Sequence, residues 1–69
     1  MKVFILCFLY GNELEDIRVC TDFETAMKFL EKNKKSQQVL EYNVTDGITD
    51  PSPVVSYSYN GNLLVVHTF

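Results

Sequence analysis

Val3-Phe4-Ile5-Leu6-Cys7-Phe8-Leu9-Tyr10 is an unbroken apolar run, and how it is read decides the fold. Alternate positions divide it into two apolar faces, with Phe4, Leu6, Phe8 and Tyr10 on one and Val3, Ile5, Cys7 and Leu9 on the other. A strand apolar on both faces belongs at the centre of a sheet or under cover on both sides. Two other readings fail. A signal peptide needs a small-residue cleavage site after its apolar stretch, whereas Glu13, Glu15 and Asp16 follow at once. A membrane-spanning helix needs about 20 apolar residues, far more than this run supplies. The run is therefore read as a buried strand of a cytoplasmic protein (host cytoplasm, for a viral gene), with no membrane partner. In that compartment Cys7 and Cys20 are reduced thiols and the Asn43-Val44-Thr45 sequon stays unmodified.

Working outward, residues 11–16 read as a turn and residues 17–21 as a second strand, with Ile17 and Val19 on one face and Arg18 and Cys20 on the other. Pairing Ile17 and Val19 with the aromatic face of the first strand requires a loop that preserves parity. A loop at 12–15 does so, setting Phe8 opposite Val19 and Cys7 opposite Cys20, a register in which a disulfide is geometrically open. Thr21-Asp22-Phe23-Glu24 then fits a capping box, with Thr21 as cap and Asp22 as the near alternative. Phe23, Ala26, Met27 and Leu30 recur at helical spacing, and Lys32, Lys34 and Lys35 complement the dipole at the far end. The helix is expected from 22 to 33–35.

Residues 38–45 read as a third strand, with Leu40, Tyr42 and Val44 on one face and Val39, Glu41, Asn43 and Thr45 on the other. Asp46-Gly47 opens a loop that Asp50-Pro51-Ser52-Pro53 extends. The two stretches flanking Asn60-Gly61 read as a hairpin with a type I′ turn, in which Val55 faces Val66 and Tyr57 faces Leu64. The expected fold is α+β: one domain over residues 1–69, a single mostly antiparallel sheet with one helix on one face, in the order β-β-α-β-β-β.

A chain of 69 residues buries only about 60% of its unfolded surface, so self-association or partner binding is an available route to further burial. The net charge is −3. Lys28, Lys32, Lys34 and Lys35 stand against Glu31 alone, while the other acids outnumber Lys2 and Arg18. That balance argues against direct nucleic-acid binding, which is marked by a basic footprint. His67 is the single histidine, and Cys7 and Cys20 are too far apart in sequence for a CxxC pair. Asp46-Gly47-Ile48-Thr49-Asp50 lacks the ligand series of a calcium loop. No glycine-rich phosphate loop is present. No catalytic residue, metal or cofactor is expected.

One helix covers one face of a sheet. The other face is expected to show Val3, Ile5, Cys7, Leu9 and Cys20 beside Arg18, Glu41 and Asn43, an apolar stripe with a polar rim of the kind that binds partners. An acidic surface adds the means to occupy a cationic channel. The chain's size, its acidity, its Met-Lys-apolar first strand and its strand–helix–strand plan built on Thr21-Asp22-Phe23-Glu24-Thr25-Ala26 resemble the small inhibitors carried by phages and mobile elements, including anti-CRISPR proteins. The resemblance implies an inhibitor or modulator of a larger complex, one that handles nucleic acid in host defence, and it carries no residue roles. The lysine cluster confines any nucleic-acid mimicry to the sheet and turns. The candidate partner-binding residues are Glu13, Glu15, Asp16, Asp46, Asp50, Ile5 and Leu9. The alternative is a small structural subunit or obligate homodimer joined through a sheet edge or the apolar stripe. A small enzyme acting through His67 or Cys20 is the remaining reading.

Overall fold

The computed structural model describes the backbone of residues 1–10, 13–32 and 34–69, and the side chains of residues 1–8, 17–32 and 34–69. Its elements are β1 (Lys2–Tyr10), β2 (Glu13–Cys20), α1 (Phe23–Lys32), β3 (Gln37–Thr45), β4 (Ile48–Thr49), β5 (Val55–Asn60) and β6 (Leu63–Thr68). The sheet runs β2-β1-β3-β5-β6, with β4 paired to β3 outside that line. Every pairing is antiparallel. The doubly apolar first strand lies inside the sheet, between β2 and β3, as its composition requires. Both neighbours run opposite to β1 and so parallel to each other. The connection from one to the other must cross a face of the sheet over β1, and α1 is that crossing.

Asp22, not Thr21, caps the helix. Its Oδ2 accepts from the Thr25 backbone N–H at 3.0 Å and from Thr25 Oγ1 at 2.7 Å, and its carbonyl accepts the first helical bond from Ala26 N at 3.1 Å. These bonds, with the charge of Lys28, lower the Asp22 pKa. The helix is described from Phe23 to Lys32; the expected end at 33 lies outside the described residues, and residues 34–36 form a turn rather than a further helical stretch.

Phe4, Leu6, Ala26, Leu30, Val39 and Tyr57 form the core, with Cys20, Met27, Phe29, Val55 and Tyr59 packed around it. Phe23 closes its upper end, its ring 5.8 Å from Phe4 and 5.6 Å from Tyr57. Phe29 closes the lower end edge-on against Phe8 at 5.3 Å.

The β1–β2 hairpin departs from the expected register in an instructive way. Pairing begins at Tyr10↔Glu13 and continues through Phe8↔Glu15, so Glu13, Glu15 and Asp16 belong to the strand rather than to a turn. Between Phe8 and Leu6 the register slips, and Asp16 and Ile17 together face Cys7. This is a β-bulge, which inserts one residue and reverses the parity of everything beyond it. Leu6 therefore faces Arg18, Ile5 faces Val19 and Phe4 faces Cys20. Ile17 and Val19 leave the aromatic face for the opposite one. Cys7 and Cys20 lie on different faces and both are free thiols, so the register that would allow a disulfide is not adopted.

Two turns also differ from expectation. Asp46 (φ 53°) and Gly47 (φ 77°) have the paired positive φ of a type I′ turn, and they join β3 directly to β4 through Thr45↔Ile48. The last hairpin closes at Asn60↔Leu63, making Gly61-Asn62 its loop in place of Asn60-Gly61. Gly61 alone has positive φ there (63°), the pattern of a type II′ turn. The pairing shifts by two residues, to Tyr57↔Val66 and Val55↔Thr68, and the faces are preserved.

A domain of this size has a net stability of about 3–10 kcal/mol. Leu30 is fully buried at the centre of its core. Leu30→Ala is expected to cost about 3 kcal/mol, read as a lower urea midpoint with an unchanged slope. A change below about 1 kcal/mol would mean that the helix is not seated on the sheet as described.

Candidate functional site: the open sheet face

The register defines what each face of the sheet carries. On the helix side one row runs Cys20–Phe4–Glu41–Val55–Thr68, and the next runs Arg18–Leu6–Val39–Tyr57–Val66. On the opposite side the matching row is Val19–Ile5–Leu40–Ser56–His67, flanked by Ile17, Val3, Tyr42, Val44, Leu63 and Val65. Val19 is 66% exposed and Ile17 59%, while Val3, Ile5, Leu40, Tyr42 and Val44 are half-buried among their neighbours. The helix lies against β1, β2 and β3 from the other side. Among the described side chains of this open face none bears a formal charge; His67, at its margin, stacks edge-on with Phe69 at 4.7 Å. Cys7, also on this side, is fully buried, and burial pushes its thiol pKa up, which disfavours the nucleophilic thiolate.

The polar rim expected here lies elsewhere. Glu41, Asn43, Arg18 and Cys20 were expected on the open face, and the pairing puts all of them on the helix side. The bulge accounts for Arg18 and Cys20. Glu41 is only 4% exposed, and its burial rests on two hydrogen bonds of 2.7 Å each, from Tyr57 Oη to Oε1 and from Lys2 Nζ to Oε2. A carboxylate with both oxygens satisfied can replace an apolar side chain inside a sheet, so β3 turns Leu40, Tyr42 and Val44 outward.

The candidate binding residues do not form one surface. Ile5 sits in the middle of the open face, between Val19 and Leu40. Leu9 pairs with Leu14 along the backbone, and its side chain, like those of Glu13, Glu15 and Asp16, lies outside the described residues. The backbone puts residues 13–16 beside the end of β1, whereas Asp46 and Asp50 flank β4, beyond the start of β1. The two acidic groups are thus separated by the length of β1, about 27 Å at 3.4 Å per residue. Cys20 and His67 lie on β2 and β6, the two edges of the sheet. Ile17, Val19, Leu40, Tyr42 and Val44 were not among the candidates. The alternation of Leu40, Tyr42 and Val44 was a signal that could have found them; for Ile17 and Val19 the bulge concealed it.

A second, smaller feature is an open cleft where the end of α1 meets the β5–β6 turn, lined by Glu31, Lys32, Lys34, Lys35, Gly61 and Asn62. Lys34 Nζ lies 4.9 Å over the Tyr59 ring and is partly engaged there. No described helix is long and apolar enough to cross a membrane. Comparison with family models, curated proteins and solved structures finds no match to this chain.

The Lys2–Glu41–Tyr57 group makes the stability of the fold depend on pH at both its acid and its alkaline end. Burial raises the Glu41 pKa, but the bonds from Lys2 and Tyr57 and the Lys2 charge outweigh it, and the net shift is downward. A lowered folded pKa gives stability that is present above the unfolded value and lost as pH falls through the folded one. Burial, followed by the bond to Glu41 and its charge, pushes Tyr57 up to about 12. That contribution is present below the unfolded value of about 10 and lost as pH rises toward 12. Tyr57→Phe leaves Glu41 Oε1 without its donor. It is expected to cost about 1–3 kcal/mol at neutral pH and to move the acid unfolding midpoint to higher pH, both read by urea titrations across pH. An acid midpoint that stays in place would mean that water, not Tyr57, satisfies Glu41.

Proposed function

We propose that this chain is a non-enzymatic protein-binding module that inhibits or modulates a larger assembly by laying the open face of its sheet on an apolar surface of that assembly. The observation that carries the reading is the uncharged patch built on Val19, Ile5 and Leu40, with Ile17, Val3 and Tyr42 around it. Its most exposed members are large aliphatic side chains. Contiguous apolar surface on so small a protein is what a partner covers. The absence of formal charge among its described side chains favours a protein surface over a phosphate backbone, which demands cations.

The resemblance to small phage-borne inhibitors supplies the setting: a compact scaffold that acts by occupying another protein's interface. Within this reading the acids of residues 13–16, with Asp46 and Asp50, flank the two ends of the patch. They contribute to approach and orientation on a partner with basic borders, such as a nucleic-acid-handling complex, while the apolar face supplies the affinity.

Val19→Glu and Ile17→Glu alter exposed side chains and are expected to change stability by no more than about 0.5 kcal/mol. Tagged wild-type protein should retain its partner from a source-cell lysate at both low and high salt, and each variant should release it. If both variants keep the partner while Asp46→Asn with Asp50→Asn loses it, the acidic ends are the binding surface and the apolar reading is wrong.

A further inference from the structure

The last strand is exposed at all of its positions, on both faces and along its outer edge. Leu64 and Val66 lie on the helix side at 46% and 54% exposure, and Leu63 and Val65 on the open side at 74% and 42%. The helix packs mainly against β1, β2 and β3. The strand contains no charged residue, no proline and no bulge, and its pairing with β5 keeps one register from Val55↔Thr68 to Asn60↔Leu63. These are the devices by which proteins keep a free edge from pairing, and β6 has none of them. The opposite edge, β2, has two: a bulge at Asp16-Ile17 and a run of charged residues.

The direction of the free hydrogen-bonding groups follows from one bond. Phe69 N–H donates to the Val54 carbonyl at 3.0 Å, so Phe69 points toward β5. Antiparallel ladders alternate, which turns His67, Val65 and Leu63 inward as well and leaves the N–H and C=O groups of Leu64, Val66 and Thr68 facing outward. A strand of this kind is complementary to an inverted copy of itself. With Val66 opposite Val66 of the second copy, Leu64 lies opposite Thr68 and Thr68 opposite Leu64, and each of these pairs exchanges two N–H···O=C bonds. No like charges meet, and the exposed Leu64 and Val66 of both copies join in one apolar row on the helix side.

We propose that two copies of this chain associate through β6, antiparallel and centred on Val66, to form one continuous sheet with the two helices on the same side. The occupant is a second copy because the pattern is self-complementary under a two-fold axis: identical outward groups, identical uncharged side chains and no register conflict. The open face assigned above to partner binding is left free, and the two assignments stand or fall separately.

The test is the mass in solution by sedimentation, with two kinds of variant. Wild-type protein is expected at twice its 8.0 kDa chain mass. Val66→Pro removes an outward N–H and no bond to β5, so it should sediment at 8.0 kDa with its far-ultraviolet dichroism retained. Val19→Glu, on the open face, should remain a dimer. Hydrogen exchange on wild-type protein gives a reading that needs no variant. The amides of Leu64, Val66 and Thr68 should be protected at millimolar concentration and lose that protection on dilution, while those of Val65 and His67 stay protected at both. A wild-type mass of 8.0 kDa at millimolar concentration, or unprotected amides there, overturns the proposal. So does a dimer that Val19→Glu dissociates, because its interface is then the open face.

Discussion

A ten-residue helix is about 15 Å long and about 10 Å across, whereas β1 alone runs about 27 Å and five strands at about 4.8 Å spacing span roughly 19 Å. That mismatch governs the rest of the structure. The one helix sits where the β2–β3 crossing puts it, against β1 and its two neighbours, and there it completes the core around Leu30, Ala26, Leu6 and Val39. It leaves the other face of the sheet without a helix, and on its own face it packs mainly against β1, β2 and β3 rather than β6. Both surfaces to which a binding role is assigned are what one helix cannot cover.

Within the covered part, the buried acid is the second determinant. Glu41 faces the helix side because Lys2 and Tyr57 satisfy its two oxygens, and this choice sends Leu40, Tyr42 and Val44 to the open face. Leaving either oxygen unpaired would weaken the fold, since a buried acceptor without its donor costs about 1–3 kcal/mol. The orientation of β3, and with it the apolar character of the open face, combines the burial of Val39 with the satisfaction of Glu41 by one phenol and one ammonium group.

Much of the architecture was legible in the residues. The two-faced apolar run of β1 specified an inner strand, and the Phe23, Ala26, Met27, Leu30 spacing specified the helix and its buried side. What the residues hid was parity. A bulge leaves no compositional mark, so Ile17 and Val19 read as partners of the aromatic face, when one extra residue turns them away from it. The inversion of β3 was hidden because a buried Glu41 is against the general preference, and its partners are distant in sequence. The turns were misread for a related reason. Asp46-Gly47 carries a strong hairpin signal, but the strand it introduces is only two residues long, and Asn60-Gly61 admitted a neighbouring frame with the same parity. The candidate site inherited these errors. Ile5 was found from its own alternation, and the acids were grouped by charge alone, without the distance that separates them.

The bulge at Asp16-Ile17 has a consequence for how such a protein can change by descent. A single-codon deletion there would restore the uninterrupted ladder with Leu6 still opposite Arg18 and Ile5 still opposite Val19, so Ile17 and Val19 would stay on the open face. Loss of that one codon thus removes the local bend and extra twist of the edge strand, while its inner and outer residues keep their faces. A lineage carrying this fold can straighten its edge strand in a single heritable step and leave the oily outer surface as it is.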